Sequence, residues 1–150
     1  MANYQTNVRT HLPPGEAFEY MADLRNVAAW DPSVRSVEQV AGAGAGSESE
    51  FVVVVDGPGD GVQLRYRTVD YDPPRTVTVE ASTRWFTSRD RIDVVPIADS
   101  ADAAKSEVTY NAELTLNRAL RWADPVLRPF FKRYAGRGDA GLRHAIGAPE

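Results

Sequence analysis

Between residues 34 and 116, apolar and polar side chains alternate with a period of two, interrupted at short intervals by turn-forming residues. An amphipathic helix needs apolar positions every three or four residues, so this stretch is read as strands. Six are predicted: Val34 to Val40, Glu50 to Asp56, Val62 to Tyr71, Arg75 to Ser82, Trp85 to Val95 and Lys105 to Leu116. Their connections are too short for crossovers, so consecutive strands must run antiparallel. The segments Gly57-Pro58-Gly59-Asp60-Gly61 and Asp72-Pro73-Pro74 read as turns, and Pro96 to Ala104 as a polar hairpin loop. The run Ala41-Gly42-Ala43-Gly44-Ala45-Gly46-Ser47 reads as a flexible hairpin connection.

The flanks are different. Tyr4 to Thr10 alternates weakly and predicts a first strand, stopped by Pro13-Pro14-Gly15. Proline is tolerated in a first helical turn, and Ala17, Phe18, Met21, Ala22 and Leu24 then recur at helical spacing. Asn26 is placed to cap a second short helix through Val27-Ala28-Ala29-Trp30, which Asp31-Pro32 ends. Beyond the strands, Leu116, Leu120, Ala123, Leu127, Phe130 and Tyr134 draw one apolar stripe, predicting a helix over most of residues 120 to 145. Pro129 should bend it. The expected architecture is α+β in a single domain, 1–150: an antiparallel sheet of about seven strands wrapped around the C-terminal helix, with two short helices after the first strand.

Composition removes several classes of chemistry. With no cysteine there are no disulfides, thiolate nucleophiles or zinc–thiolate clusters, and the two histidines, His11 and His144, are too few for a His-rich metal site. No metal is expected. The glycines at 42, 44 and 46 lack dinucleotide-loop spacing and precede a strand, and there is no Walker lysine or G-x-S-x-G elbow. No cofactor is expected either. No apolar run is long enough to span a bilayer, and the N-terminal residues lack a signal-peptide profile, so a cytoplasmic location is expected.

The net charge of −4 is uneven. Residues 118 to 146 carry seven basic side chains against Asp124 and Asp139. That segment is read either as a solvated helix face or as a surface attracting an anionic ligand, a membrane or an acidic partner. Nucleic-acid binding is not expected, because no motif for it occurs and the chain is acidic overall.

Strand parity singles out the candidate site. In the last strand Val108, Tyr110, Ala112, Leu114 and Leu116 share the face expected to point inward; in the preceding one Phe86, Ser88, Asp90, Ile92 and Val94 do. Tyr66 should face inward between outward Arg65 and Arg67, unless a bulge turns Arg67 in. An inward carboxylate must be paired, protonated or wet, which makes Asp90 a candidate general acid or base. The alternative is a structural pairing with an arginine or a place at a solvated rim. Trp30 is expected to pack where the short helix meets the sheet. A ligand pocket is expected to be bordered by Tyr66, Phe86, Ser88, Asp90, Tyr110 and Leu114, and closed by Leu127, Phe130 and Tyr134 of the C-terminal helix. Asp90 and Tyr110 are the catalytic candidates if the chain is an enzyme.

The segments Pro14-Gly15-Glu16-Ala17-Phe18-Glu19-Tyr20-Met21-Ala22-Asp23 and Ala29-Trp30-Asp31-Pro32 resemble the N-terminal signature of the START-like (SRPBCC) helix-grip superfamily, in particular its polyketide cyclase/dehydrase and lipid-transport group. Tyr71-Asp72-Pro73-Pro74-Arg75, and Thr109-Tyr110 through Leu116, sit where that family has similar segments. The resemblance implies a hydrophobic cavity between sheet and C-terminal helix that binds a polyketide-, lipid- or quinone-like molecule, as a carrier or binding protein. It leaves open a cyclase, aromatase or dehydratase using polar cavity residues, and a protein-interaction module using the basic helix. The expected partner is a hydrophobic small molecule, and the expected state a monomer or homodimer.

Overall fold

The computed structural model describes residues 2–56, 59–97, 105–117 and 140–147. Seven strands form one sheet: β1 (Ala2–Thr10), β2 (Val34–Ala41), β3 (Glu50–Val55), β4 (Val62–Asp72), β5 (Thr76–Ser82), β6 (Phe86–Pro96) and β7 (Ser106–Leu116). Their order is β1-β7-β6-β5-β4-β3-β2, and every neighbouring pair is antiparallel. Strands β2 to β7 are a meander, as hairpin-length connections require. Strand β1 instead pairs with β7, so both sheet edges flank the segment between β1 and β2 in sequence.

That segment holds the helices α1 (Pro14–Ala22) and α2 (Val27–Trp30), with a 3-10 turn at Leu24–Asn26 between them. Pro14 occupies the first turn of α1, where its missing N–H costs nothing. The buried side of α1 is Ala17, Phe18, Met21 and Ala22, the stripe expected from spacing. Asp23 accepts from the backbone N–H of Arg25 and starts the 3-10 turn. Phe18 meets Tyr71 of β4 at 5.5 Å between ring centroids, and both belong to the apolar layer between helices and sheet.

Residues 140–146 are helical, with Leu142 and Ile146 buried in the same core. Gly141 lies so close to α2 that a Cβ there would overlap the Trp30 carbonyl oxygen. Arg143 donates to the Asn7 carbonyl at 2.8 Å and to Thr6 Oγ1 at 3.1 Å, fixing this end of the chain on β1. The rest of the expected C-terminal helix lies outside the described residues, as does most of the basic segment from 118 to 146.

The glycine-rich connection is more ordered than its composition suggests. Gln39 Oε1 accepts from the Gly44 N–H at 2.9 Å, its Nε2 donates to the Gly44 carbonyl at 3.0 Å, and buried Ser49 Oγ donates to that same carbonyl at 2.7 Å. Gly42 has φ +77° and packs directly on Ser49, which leaves no room for a side chain.

Candidate functional site

The polar groups on the inner face come from three strands. In β6, Ser88, Ile92 and Val94 are buried and Arg89 and Arg91 exposed, so parity puts Asp90 inside. In β7, Val108, Ala112 and Leu116 are buried on the face that carries Tyr110. The register pairs Ile92 with Tyr110 and Asp90 with Ala112, so Tyr110 and Asp90 are diagonal neighbours. The Tyr110 hydroxyl donates to Asp90 Oδ2 at 2.7 Å. Tyr66 on β4 reaches across buried Ala81 to Ser88, which pairs with Ala81, and the two hydroxyls lie 2.8 Å apart.

Arg67 is exposed, opposite Glu50 and Glu80. Strand β4 does contain an irregularity, but it falls between Thr68 and Asp70, after Arg67, and so leaves the parity of Tyr66 and Arg67 unchanged.

Tyr66, Asp90 and Tyr110 border a cavity of about 70 Å³. Its apolar wall is supplied by Val34, Val53, Val55 and Val79 of the sheet, with Ile92 beside them, and by Met21, Leu24 and Val27 from the helical side. Tyr66, Asp90 and Tyr110 give it polarity, joined by Trp30 and Asp31 from the end of α2. Trp30 stands edge-to-face on Tyr110 at 5.8 Å, and its buried indole N–H has no hydrogen-bond partner among the described residues. Asp31 Oδ1 accepts from both the backbone N–H and the hydroxyl of Ser33, at 2.9 and 2.7 Å. Phe86, Ser88 and Leu114 are not among the residues lining this cavity. Phe86 is partly buried against the core, and Ser88 acts through Tyr66. Leu127, Phe130 and Tyr134 lie outside the described residues.

Sequence reasoning missed Asp31 as a site residue, reading it as the stop of a helix and as part of the segment Ala29-Trp30-Asp31-Pro32 that carries the family resemblance. Parity assigns strand positions to a face, but a residue in a turn after a four-residue helix has no such signal.

The electrostatics follow from burial. Desolvation raises the Asp90 carboxyl to about 6, helped by the Asp31 charge and opposed by the hydrogen bond from Tyr110. Asp90 is partly buried and lines the cavity. Burial, with the Asp90 charge second, raises both Tyr110 and Tyr66 far above the ordinary phenol range, so both stay protonated donors. The arrangement can donate hydrogen bonds to a ligand, and can exchange a proton at Asp90 near neutral pH. Among the described residues no cluster of His, Cys, Asp or Glu is suited to a metal ion, and no helix is long and apolar enough to cross a membrane.

The model of the family described as polyketide cyclase / dehydrase and lipid transport matches residues 1–147. The chain belongs to that family. Solved structures agree on the START-like fold of this family member. A START superfamily protein from Mycobacterium smegmatis superposes with a TM-score of 0.75 at 10% identity, over 97% of each chain. The Zhui aromatase/cyclase from Streptomyces sp. R1128 gives 0.70 at 15% identity, over 95% of this chain and 89% of the other. Ginseng major latex-like protein 151 from Panax ginseng gives 0.67 at 11% identity, over 97% of both. No curated protein gives a significant sequence match.

Proposed function

We propose that this family member binds an apolar, ring-bearing small molecule, with one end in the cavity beside Asp90 and Tyr110, and acts as a binding or carrier protein. The observation that carries this reading is the cavity itself: an apolar wall with a few convergent polar groups on the inner face, the usual composition of a small-molecule site. Its volume is well below the roughly 300–1,000 Å³ of sites that enclose a whole drug-sized ligand. It therefore suits the polar end of a molecule whose apolar body lies beyond it. The family description, polyketide cyclase and lipid transport, supports an apolar ligand of that kind.

A neutral fluorescent probe, N-phenyl-1-naphthylamine, should bind with saturable one-to-one fluorescence enhancement. Folded protein that leaves the probe in water, with no saturable signal, would contradict the reading.

A second reading is favoured by one contact, the 2.7 Å hydrogen bond from Tyr110 to a carboxyl of raised pKa. The pair could polarise a carbonyl and move a proton during cyclisation or dehydration of a polyketide-like chain. On that reading wild type converts an aromatic polyketide mimic, and Asp90→Asn lowers kcat by about 10²- to 10⁴-fold with little change in KM. A wild type that binds the mimic without converting it leaves the carrier reading alone.

A further inference from the structure

Among the described residues the charges around the cavity are one-sided. Asp31 and Asp90 line it, and among its described lining residues there is no Arg, Lys or His. The arginines of β4 and β6 are outside, and three of them are tied to acids of the outer face: Arg65 to Glu50 at 3.2 Å, Arg89 to Glu80 at 3.6 Å, and Arg91 to Asp93 at 3.2 Å. Tyr110 is the sole hydrogen-bond partner of Asp90 among the described residues; it satisfies Oδ2, while Oδ1 has no partner among them and the residue lines the cavity. Asp31 likewise uses one oxygen for Ser33. A buried carboxylate without a counter-charge is half of an ion pair, and its desolvation cost is uncompensated until a cation arrives.

The remaining polar wall is aromatic. Trp30, Tyr66 and Tyr110 all border the same space, with Trp30 set edge-to-face on Tyr110. Aromatic faces attract cations through their ring quadrupole, most strongly where water is excluded. An anionic head entering here would meet two carboxylates and, among the described lining residues, no positive charge.

Resting on the binding function proposed above, we propose that the ligand carries a protonated amine on its apolar body, the ammonium group donating to the free oxygen of Asp90 between the rings of Trp30, Tyr66 and Tyr110. This selects against fatty acids, other carboxylates and phosphate esters. It also fixes the sign of the pH dependence. Among the described residues, the groups facing Asp90 are Tyr110 from β7, Tyr66 from β4 and Asp31 from the turn after α2. Both phenols stay neutral there, so Asp90 is the group whose charge changes near pH 6. An ammonium ligand binds the ionised form, and its affinity must rise with pH through that region.

Three probes of equal shape test this by calorimetry at pH 7.5: benzylamine, benzyl alcohol and benzoate. The expected order is benzylamine tightest, by about tenfold over the alcohol, and benzoate weakest. Benzylamine affinity should fall as pH is lowered through about 6, where the amine itself stays protonated. Asp90→Asn should abolish the preference for the amine over the alcohol. Benzoate binding as tightly as benzylamine, or an amine preference that survives in Asp90→Asn, overturns the proposal and leaves apolar-ligand binding standing. Failure of all three probes, together with failure of N-phenyl-1-naphthylamine, overturns both.

Discussion

Asp90→Asn should make the protein more stable at pH 7, by up to about 3 kcal/mol, because it removes a charge that folding forces out of water. The carboxyl of Asp90 rises from an ordinary 3.8 to about 6 in the folded state, mainly through burial. The native protein therefore binds the Asp90 proton more tightly than the unfolded chain does. Stability referred to this group is fully present below about pH 4 and is lost as pH rises through about 6. Above that the deficit is constant. Asparagine keeps the shape and can still accept the Tyr110 hydroxyl through its amide oxygen, so packing is conserved while the charge disappears. Urea unfolding of both proteins from pH 4 to 8 should show the stability difference opening between pH 4 and 6 and then levelling. A variant less stable than wild type at pH 7 would mean that the Asp90 charge is compensated. A stabilising substitution at a polar group inside an apolar cavity is the pattern of a residue kept for function at a cost in stability.

The second large effect lies in the layer that supports the site. Phe18→Ala should destabilise by about 3–5 kcal/mol, the range for removing a fully buried aromatic ring. Phe18 is 1% exposed and packs at a tilt against Tyr71, and it holds α1 on the sheet next to Met21, which lines the cavity. A domain of this size has a total stability of about 5–15 kcal/mol, so the substitution removes a large share of it. The denaturation midpoint should fall accordingly. A loss below about 1 kcal/mol would show that the helix layer repacks freely around the gap.

The strands were legible because alternation is a local signal. Val108, Tyr110 and Ala112 must share a face whatever the rest of the chain does, and so must Ser88, Asp90 and Ile92. That alone brought Tyr66, Asp90 and Tyr110 to one side. The partners within that face were not legible. Which hydroxyl meets which acceptor depends on register, and the Tyr66–Ser88 contact depends also on the small Ala81 between them. The pairing of β1 with β7 joins segments about a hundred residues apart, and only tertiary packing specifies it. Ala41 to Ser47 was read as flexible from its composition; the order there comes from Gln39 and Ser49, side chains outside the glycine run. Trp30 and Asp31 could be assigned to a helix end but not to a cavity, since neither lies on an element with a face fixed by period.

The central claim is that the inner face beside Asp90 and Tyr110 is a ligand site. Methyl-resolved NMR during titration with N-phenyl-1-naphthylamine tests it most directly, because the protein carries its own controls. Ile92, Val53, Val79 and Leu24 line the cavity, whereas Val40, Val69 and Val95 are exposed on the surface. The predicted result is saturable shifts of the first group with the second unchanged. Shifts confined to the exposed valines, or none in either group, would contradict the account.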